Sequence, residues 1–142
     1  MRDHTHALTV EYHWHDDHIL QVSLYASNGR FSGAALPYLG HGELTALAEA
    51  LRHFPEKAPV ECELGQKNLE WARLTFFAVG SARHGAVRAE IYSQEASVRA
   101  KHAVQKTDLQ LELDPAQIDR LCRSLRHIDA TKGNVSTVSD QR

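Results

Sequence analysis

Long apolar runs are missing from this sequence. No stretch approaches the roughly 18 residues that would carry a helix across a bilayer, and Met1-Arg2-Asp3-His4-Thr5-His6 lacks the hydrophobic centre of a secretion signal. A cytoplasmic chain with no membrane partner is expected. Net charge is also nearly absent, because 16 Lys+Arg against 18 Asp+Glu leave only -2. No field of one sign draws a polyanion from a distance, so nucleic acid is not expected as a partner. Cysteine is scarce too. Cys62 and Cys122 stand far apart, each where the local pattern wants an apolar side chain, which speaks for two small buried hydrophobes rather than a disulfide scaffold or a redox pair. The chain has no glycine-rich phosphate loop, no Cys-x-x-Cys, no His-Glu-x-x-His and no Gly-x-Ser-x-Gly elbow. Neither an enzyme nor a cofactor is expected.

What is present is a sequence of 142 residues with 42% hydrophobic and 24% charged content, enough for one core that buries roughly two-thirds of the unfolded surface. Leu8, Val10, Tyr12 and Trp14 alternate with Thr9, Glu11, His13 and His15, the period of a half-buried strand, which puts Tyr12 and Trp14 inward and the histidines on the wet face. Leu20, Val22 and Leu24 resume the alternation after a turn at residues 15–18. Ser27-Asn28-Gly29 then signals a tight hairpin turn, since Asn and Gly tolerate positive φ. A third strand over residues 30–35 contains Ser32-Gly33-Ala34-Ala35, small residues that suggest close approach by another element, the following helix being the nearest candidate. Further strands are expected around Val60–Leu64, Leu69–Val79, Val87–Ile91 and Leu109–Leu113. The second of these has apolar residues on both faces, as a central strand does.

Leu44, Leu47, Ala48 and Leu51 recur at helical spacing within residues 42–54, and so do Ile118, Leu121, Cys122, Leu125 and Ile128 after Asp114-Pro115, a capping residue followed by proline at the first helical position. The two stripes match at constant spacing, down to the Arg-His pairs Arg52-His53 and Arg126-His127. Two strand-rich halves, each closed by a helix, would produce this, and so would any two helices that cover a sheet. The expected architecture is α+β: an antiparallel sheet of about six or seven strands built from hairpins, with two amphipathic helices packed on one face. Residues 1–7 read as a flexible N-terminus, 8–128 as a single domain, and 129–142, polar and without period, as a disordered tail.

Histidine is the one enriched chemistry, with 10 in the chain and His4, His6, His13, His15 and His18 near the start. On a regular strand His13 and His15 share a face, and Asp16, Asp17 and His18 follow in the turn. That set offers nitrogen and oxygen donors suited to zinc or nickel. The same residues also suit an exposed hairpin tip, or a cluster that gains charge near pH 6. Tyr25 and Tyr38 are the aromatic candidates for an interaction face, because aromatic residues concentrate in interface hot spots.

The string from Ile19 to Gly42, with Ser27-Asn28-Gly29-Arg30-Phe31-Ser32-Gly33, Tyr38 and the Leu44 helix, together with Leu111-Glu112-Leu113-Asp114-Pro115 and the Ile118 helix, resembles small bacterial domains of the WapI-type immunity proteins. The resemblance implies a cytosolic partner that neutralises a secreted toxin and carries no catalytic residues over. A non-enzymatic protein-binding domain is therefore expected, immunity-like or self-associating as a dimer. A small-ligand or divalent-metal-binding domain that uses the His-rich first hairpin is the alternative.

Overall fold

The computed structural model describes residues 6–54, 56–67, 69–80, 84–93, 105–131 and 136–138. In chain order they form β1 (Ala7–His15), β2 (Ile19–Ser27), β3 (Ser32–Ala35), β4 (Tyr38–Gly40), α1 (Glu43–Leu51), β5 (Val60–Gly65), β6 (Trp71–Val79), β7 (His84–Ser93), β8 (Gln105–Leu113), α2 (Pro115–Thr131) and β9 (Ser136–Val138). The fold is α+β and antiparallel, as the alternation implies, and β6 lies between two neighbours. The strands nevertheless make two sheets rather than one. The first runs β3-β2-β1-β9 with β4 also on β2, and the second runs β5-β6-β7-β8. β3 pairs with residues 24–27 of β2 and β4 with residues 19–21, so the two are halves of one edge strand interrupted at Leu36-Pro37. Helix α1 then separates β4 from β5, and a second meander begins. Alternation reports which residues face a core and is silent about which strands are neighbours.

Both helical stripes are buried as expected: Leu47, Leu51, Leu121 and Leu125 are 4%, 2%, 1% and 0% exposed. Their placement differs from the expectation of two helices on one face of one sheet. α1 and α2 pack against each other, α1 leans on β5, and α2 touches β1, β9 and β7. The inward residues of both sheets and both helices join in one core.

The turn after β2 is wider than the two-residue hairpin that Asn28-Gly29 suggests. Ser27 and Ser32 form the closing pair, Asn28 Oδ1 accepts from the Arg30 and Phe31 amides at 3.0 and 2.9 Å, and Gly29 has φ 89°. The small residues after it make room for β8, not for α1: a Cβ on Gly33 would lie 2.8 Å from the Thr107 side chain. That close approach joins the two sheets.

The helix starts solve their capping problem in different ways. At α2, the Gln117 amide donates to Asp114 Oδ1 at 2.8 Å and the Asp114 amide donates to Gln117 Oε1 at 2.6 Å, a reciprocal box that satisfies two otherwise orphaned donors. At α1 the capping position is Gly42, with φ 98° and no side chain to offer. Its cap comes from the other helix. The Gly42 and Thr45 amides donate to the two carboxylate oxygens of Asp129, and the Thr45 hydroxyl donates to the second of them, each at 3.0 Å.

Asp129 opens the segment 129–142 read from sequence as a disordered tail, and it is 4% exposed. α2 continues to Thr131, and β9 pairs with β1 through Thr9–Val138, Val10–Thr137 and Glu11–Ser136. Residues 132–135 and 139–142 lie outside the described residues. So do residues 1–5, including His4, whereas His6 is placed and accepts the Glu112 amide through Nδ1 at 2.8 Å. Deleting residues 132–142 removes the β9 pairing from β1, and we expect a loss of about 1–2 kcal/mol, the net worth of a few backbone hydrogen bonds. Urea denaturation of the truncated chain measures it, and an unchanged midpoint would count against β9.

Candidate interaction face

Strand β1 is not regular. Its register against β2 shifts between Tyr12, opposite Val22, and Trp14, opposite Gln21, which leaves His13 as an extra, bulged residue. A bulge of this kind reverses the inward–outward order of everything after it. Tyr12 stays against the core, but Trp14 turns outward and is 44% exposed, contrary to the inward position that unbroken alternation assigns it. On the other side of β2, Gln21 pairs with Tyr38 of β4. Trp14, Gln21 and Tyr38 therefore form one row across three strands. Gln21 is held there by donating through Nε2 to the Leu36 carbonyl at 3.0 Å.

Tyr25, opposite Thr9 on one side and Ala34 on the other, stands two rows away on the same outward face. Tyr25 and Tyr38 are 40% and 47% exposed, so both sequence candidates lie on one surface, and Trp14 joins them. Neither helix covers this face, because their apolar stripes are spent on the core.

The bulge also rearranges the histidine corner. His13 and His15 do not share a face in the simple i, i+2 manner. Instead the extra residue brings Tyr12 and His15, three apart, together, with the Tyr12 hydroxyl 2.9 Å from His15 Nδ1. His41, which nothing in the sequence singles out, packs edge-on against His15 at 6.4 Å between ring centres. Its Nε2 donates to the Asp16 carbonyl at 2.9 Å. The Asp16 carboxylate is occupied by the turn itself, accepting the His18 and Ile19 amides at 2.7 and 2.9 Å. Those two bonds, Ile19 first, hold its pKa below the ordinary carboxylate value. Asp17 and His18 are exposed. Among the described residues no three His, Cys, Asp or Glu side chains are grouped as a metal ion would need.

The outward face of the second sheet has a different character. Arg73 bridges Glu90 at 2.9 Å and Glu61 at 3.3 Å, and Arg88 bridges Asp108 at 2.7 Å and Glu90 at 3.5 Å. Hydrogen bonds from Arg88 hold the Asp108 carboxyl below its usual range. Such exposed pairs contribute little to stability individually, but they leave this face populated by paired charges of both signs. Trp71 on the same side is only 5% exposed beneath Lys67 and Arg73. Both cysteines carry free thiols. Burial pushes the Cys62 thiol up to about 12 and raises Cys122 as well, so neither is poised as a nucleophile.

Among the described residues no helix is long and apolar enough to cross a membrane. No protein-family model matches the chain, and no curated protein or solved structure matches it either.

Proposed function

We propose that this chain is a non-enzymatic protein-binding domain that seats its partner on the outward face of the first sheet, with Trp14, Tyr38 and Tyr25 as anchors. The observation that carries this reading is the bulge at His13, which takes a tryptophan off the core side and aligns it with Tyr38 across Gln21. Three large aromatic side chains at 40–47% exposure on one face are the residue types that dominate interface energetics, because each offers a large rigid contact area at low entropic cost. A toxin is the partner class that the immunity-protein resemblance implies, and a second copy of the chain is the other.

The test is affinity capture from native lysate with the intact protein and with the double variant Trp14→Ser/Tyr38→Ser, with metal content measured on the same samples. A stoichiometric protein partner should be retained by the first and weakened at least about tenfold in the second, the cost of removing one or more hot spots. Thermal stability should change little, since both side chains are surface-exposed. Equal retention by the variant would overturn the aromatic face. Retention of metal without any protein would favour the His-rich hairpin as a ligand site instead.

A further inference from the structure

The two outer edges of the second sheet are treated differently. At β8, outward-pointing backbone groups are closed off by side chains: Glu112 N–H donates to His6 Nδ1 and the Gln110 carbonyl accepts Asn28 Nδ2 at 3.0 Å. Natural sheets close edges in this way to prevent another chain from pairing with them. β5, at the other end, pairs with β6, from Val60–Phe76 to Gly65–Trp71, and among the described residues no strand hydrogen-bonds to its second side, although β4 touches β5. Beside it runs a groove of about 270 Å³ between residues 61–64 and the Glu43, Ala46, Leu47 and Ala50 wall of α1. Ala46 and Ala50 are exposed and one helical turn apart, so a chain can come close to the helix there.

We propose that this edge is a strand-addition site for an extended basic segment of another protein, independent of the aromatic face. An added strand hydrogen-bonds to β5 through its backbone and sends alternate side chains to opposite faces. On the outward face its neighbours are Glu61 and Glu63. The Glu61 side chain is 54% exposed and, among the described residues, bridges Arg73 at 3.3 Å, and Glu63 accepts the Trp71 indole N–H at 3.3 Å, so both retain acceptor capacity for a lysine or arginine. On the inward face the neighbours are Cys62 and the alanine wall, which suit small apolar side chains, with the Glu43 carboxylate, already accepting the Gly40 amide, at the start of the helix. The occupant is therefore a segment that alternates basic and apolar residues. A second copy of β5 fits poorly, because Glu61 and Glu63 would lie near their own counterparts and like charges across strands are destabilising. Gly65 ends the site, since it is packed against Pro37 and the Glu70 carbonyl.

Hydrogen exchange of the full chain, with and without a capped hexapeptide alternating lysine and valine, tests this directly. The peptide should slow amide exchange in residues 60–64 and bind saturably. Its affinity should fall about three- to tenfold in Glu61→Gln/Glu63→Gln, the worth of one or two exposed ion pairs, and should be lost in Ala50→Arg, which fills and charges the groove. Trp14→Ser/Tyr38→Ser should bind the peptide as the parent does. Absence of saturable binding at millimolar peptide would overturn the proposal. So would equal binding of a glutamate–valine peptide or of a peptide N-methylated at alternate residues. Concentration-dependent protection of β5 without peptide would make the occupant a second copy and overturn the partner proposed here.

Discussion

Replacing Asp129 with alanine should destabilise the protein by about 3 kcal/mol, more than a typical substitution, because it strips a buried acceptor from three donors at once. The carboxylate is 4% exposed and receives the Gly42 amide, the Thr45 amide and the Thr45 hydroxyl. The two amides belong to the first turn of α1, where no intrahelical carbonyl is available, and the local capping residue is a glycine. A negative charge at this end also complements the helix dipole. Hydrogen bonds to a charged group contribute about 1.5–3 kcal/mol each when deleted singly, and three on one carboxylate do not add. For a chain of this size the loss corresponds to a fall in melting temperature of roughly 6–12 °C. Asp129→Asn should fall between the two, because the amide keeps one acceptor oxygen but turns an N–H toward a donor. Urea denaturation with an unchanged m-value is the measurement. A loss below about 1 kcal/mol for the alanine variant would mean that the contact contributes no more than an ordinary exposed cap.

Asp129 also marks where the sequence stops being legible. Periodicity identifies Ile118, Leu121, Cys122, Leu125 and Ile128, all buried, and then ends, because the next inward residue is polar and a buried polar residue has no apolar signal. Its role depends on Gly42 and Thr45, more than 80 residues earlier in the chain. The same limit hides His41 beside His15 and the Ser136–Val138 strand, which is three residues long and pairs with the start of the chain. Local chemistry, by contrast, is readable where it is self-contained. Asp114-Pro115 caps α2, Asn28-Gly29 turns the chain, and Leu109, Leu111 and Leu113 face the core.

The aromatic face lies between these cases. Tyr25 is outward by simple alternation and Tyr38 stands on a short strand that no periodicity marks, whereas Trp14 is outward only because β1 accommodates one residue more than its partner. Tyr12-His13-Trp14-His15 alternates without a break, and no glycine or turn residue marks the extra position. The bulge is a property of the pairing with β2, and pairing is the non-local information that a single strand does not contain.

A pair of glycines separates conformational strain from steric conflict, and we expect Gly65→Ala to cost about 3–4 kcal/mol where Gly42→Ala costs about 1–2 kcal/mol. Both backbones are left-handed, with φ 85° and 98°, so an L-residue carries a similar penalty of roughly 1–2 kcal/mol at either site. At Gly42 nothing lies within 4 Å of an added Cβ, and the penalty is the whole effect. At Gly65 the new methyl runs into the Glu70 carbonyl oxygen and comes within 2.7 Å of the Pro37 side chain. Neither obstacle can swing away. The Glu70 carbonyl accepts the Gln66 amide at 3.2 Å inside the turn that joins β5 to β6, and Pro37 sits at the break between β3 and β4, where its own carbonyl accepts the Val22 amide at 3.2 Å. Relief therefore requires opening the β5–β6 turn or shifting the broken edge of the first sheet, and either motion loses backbone hydrogen bonds. Parallel urea titrations of the two variants should show the Gly65→Ala midpoint displaced two to four times as far as that of Gly42→Ala, about the ratio of the two costs. Equal displacements would mean that the turn gives way freely and that Gly65 is required for its φ alone.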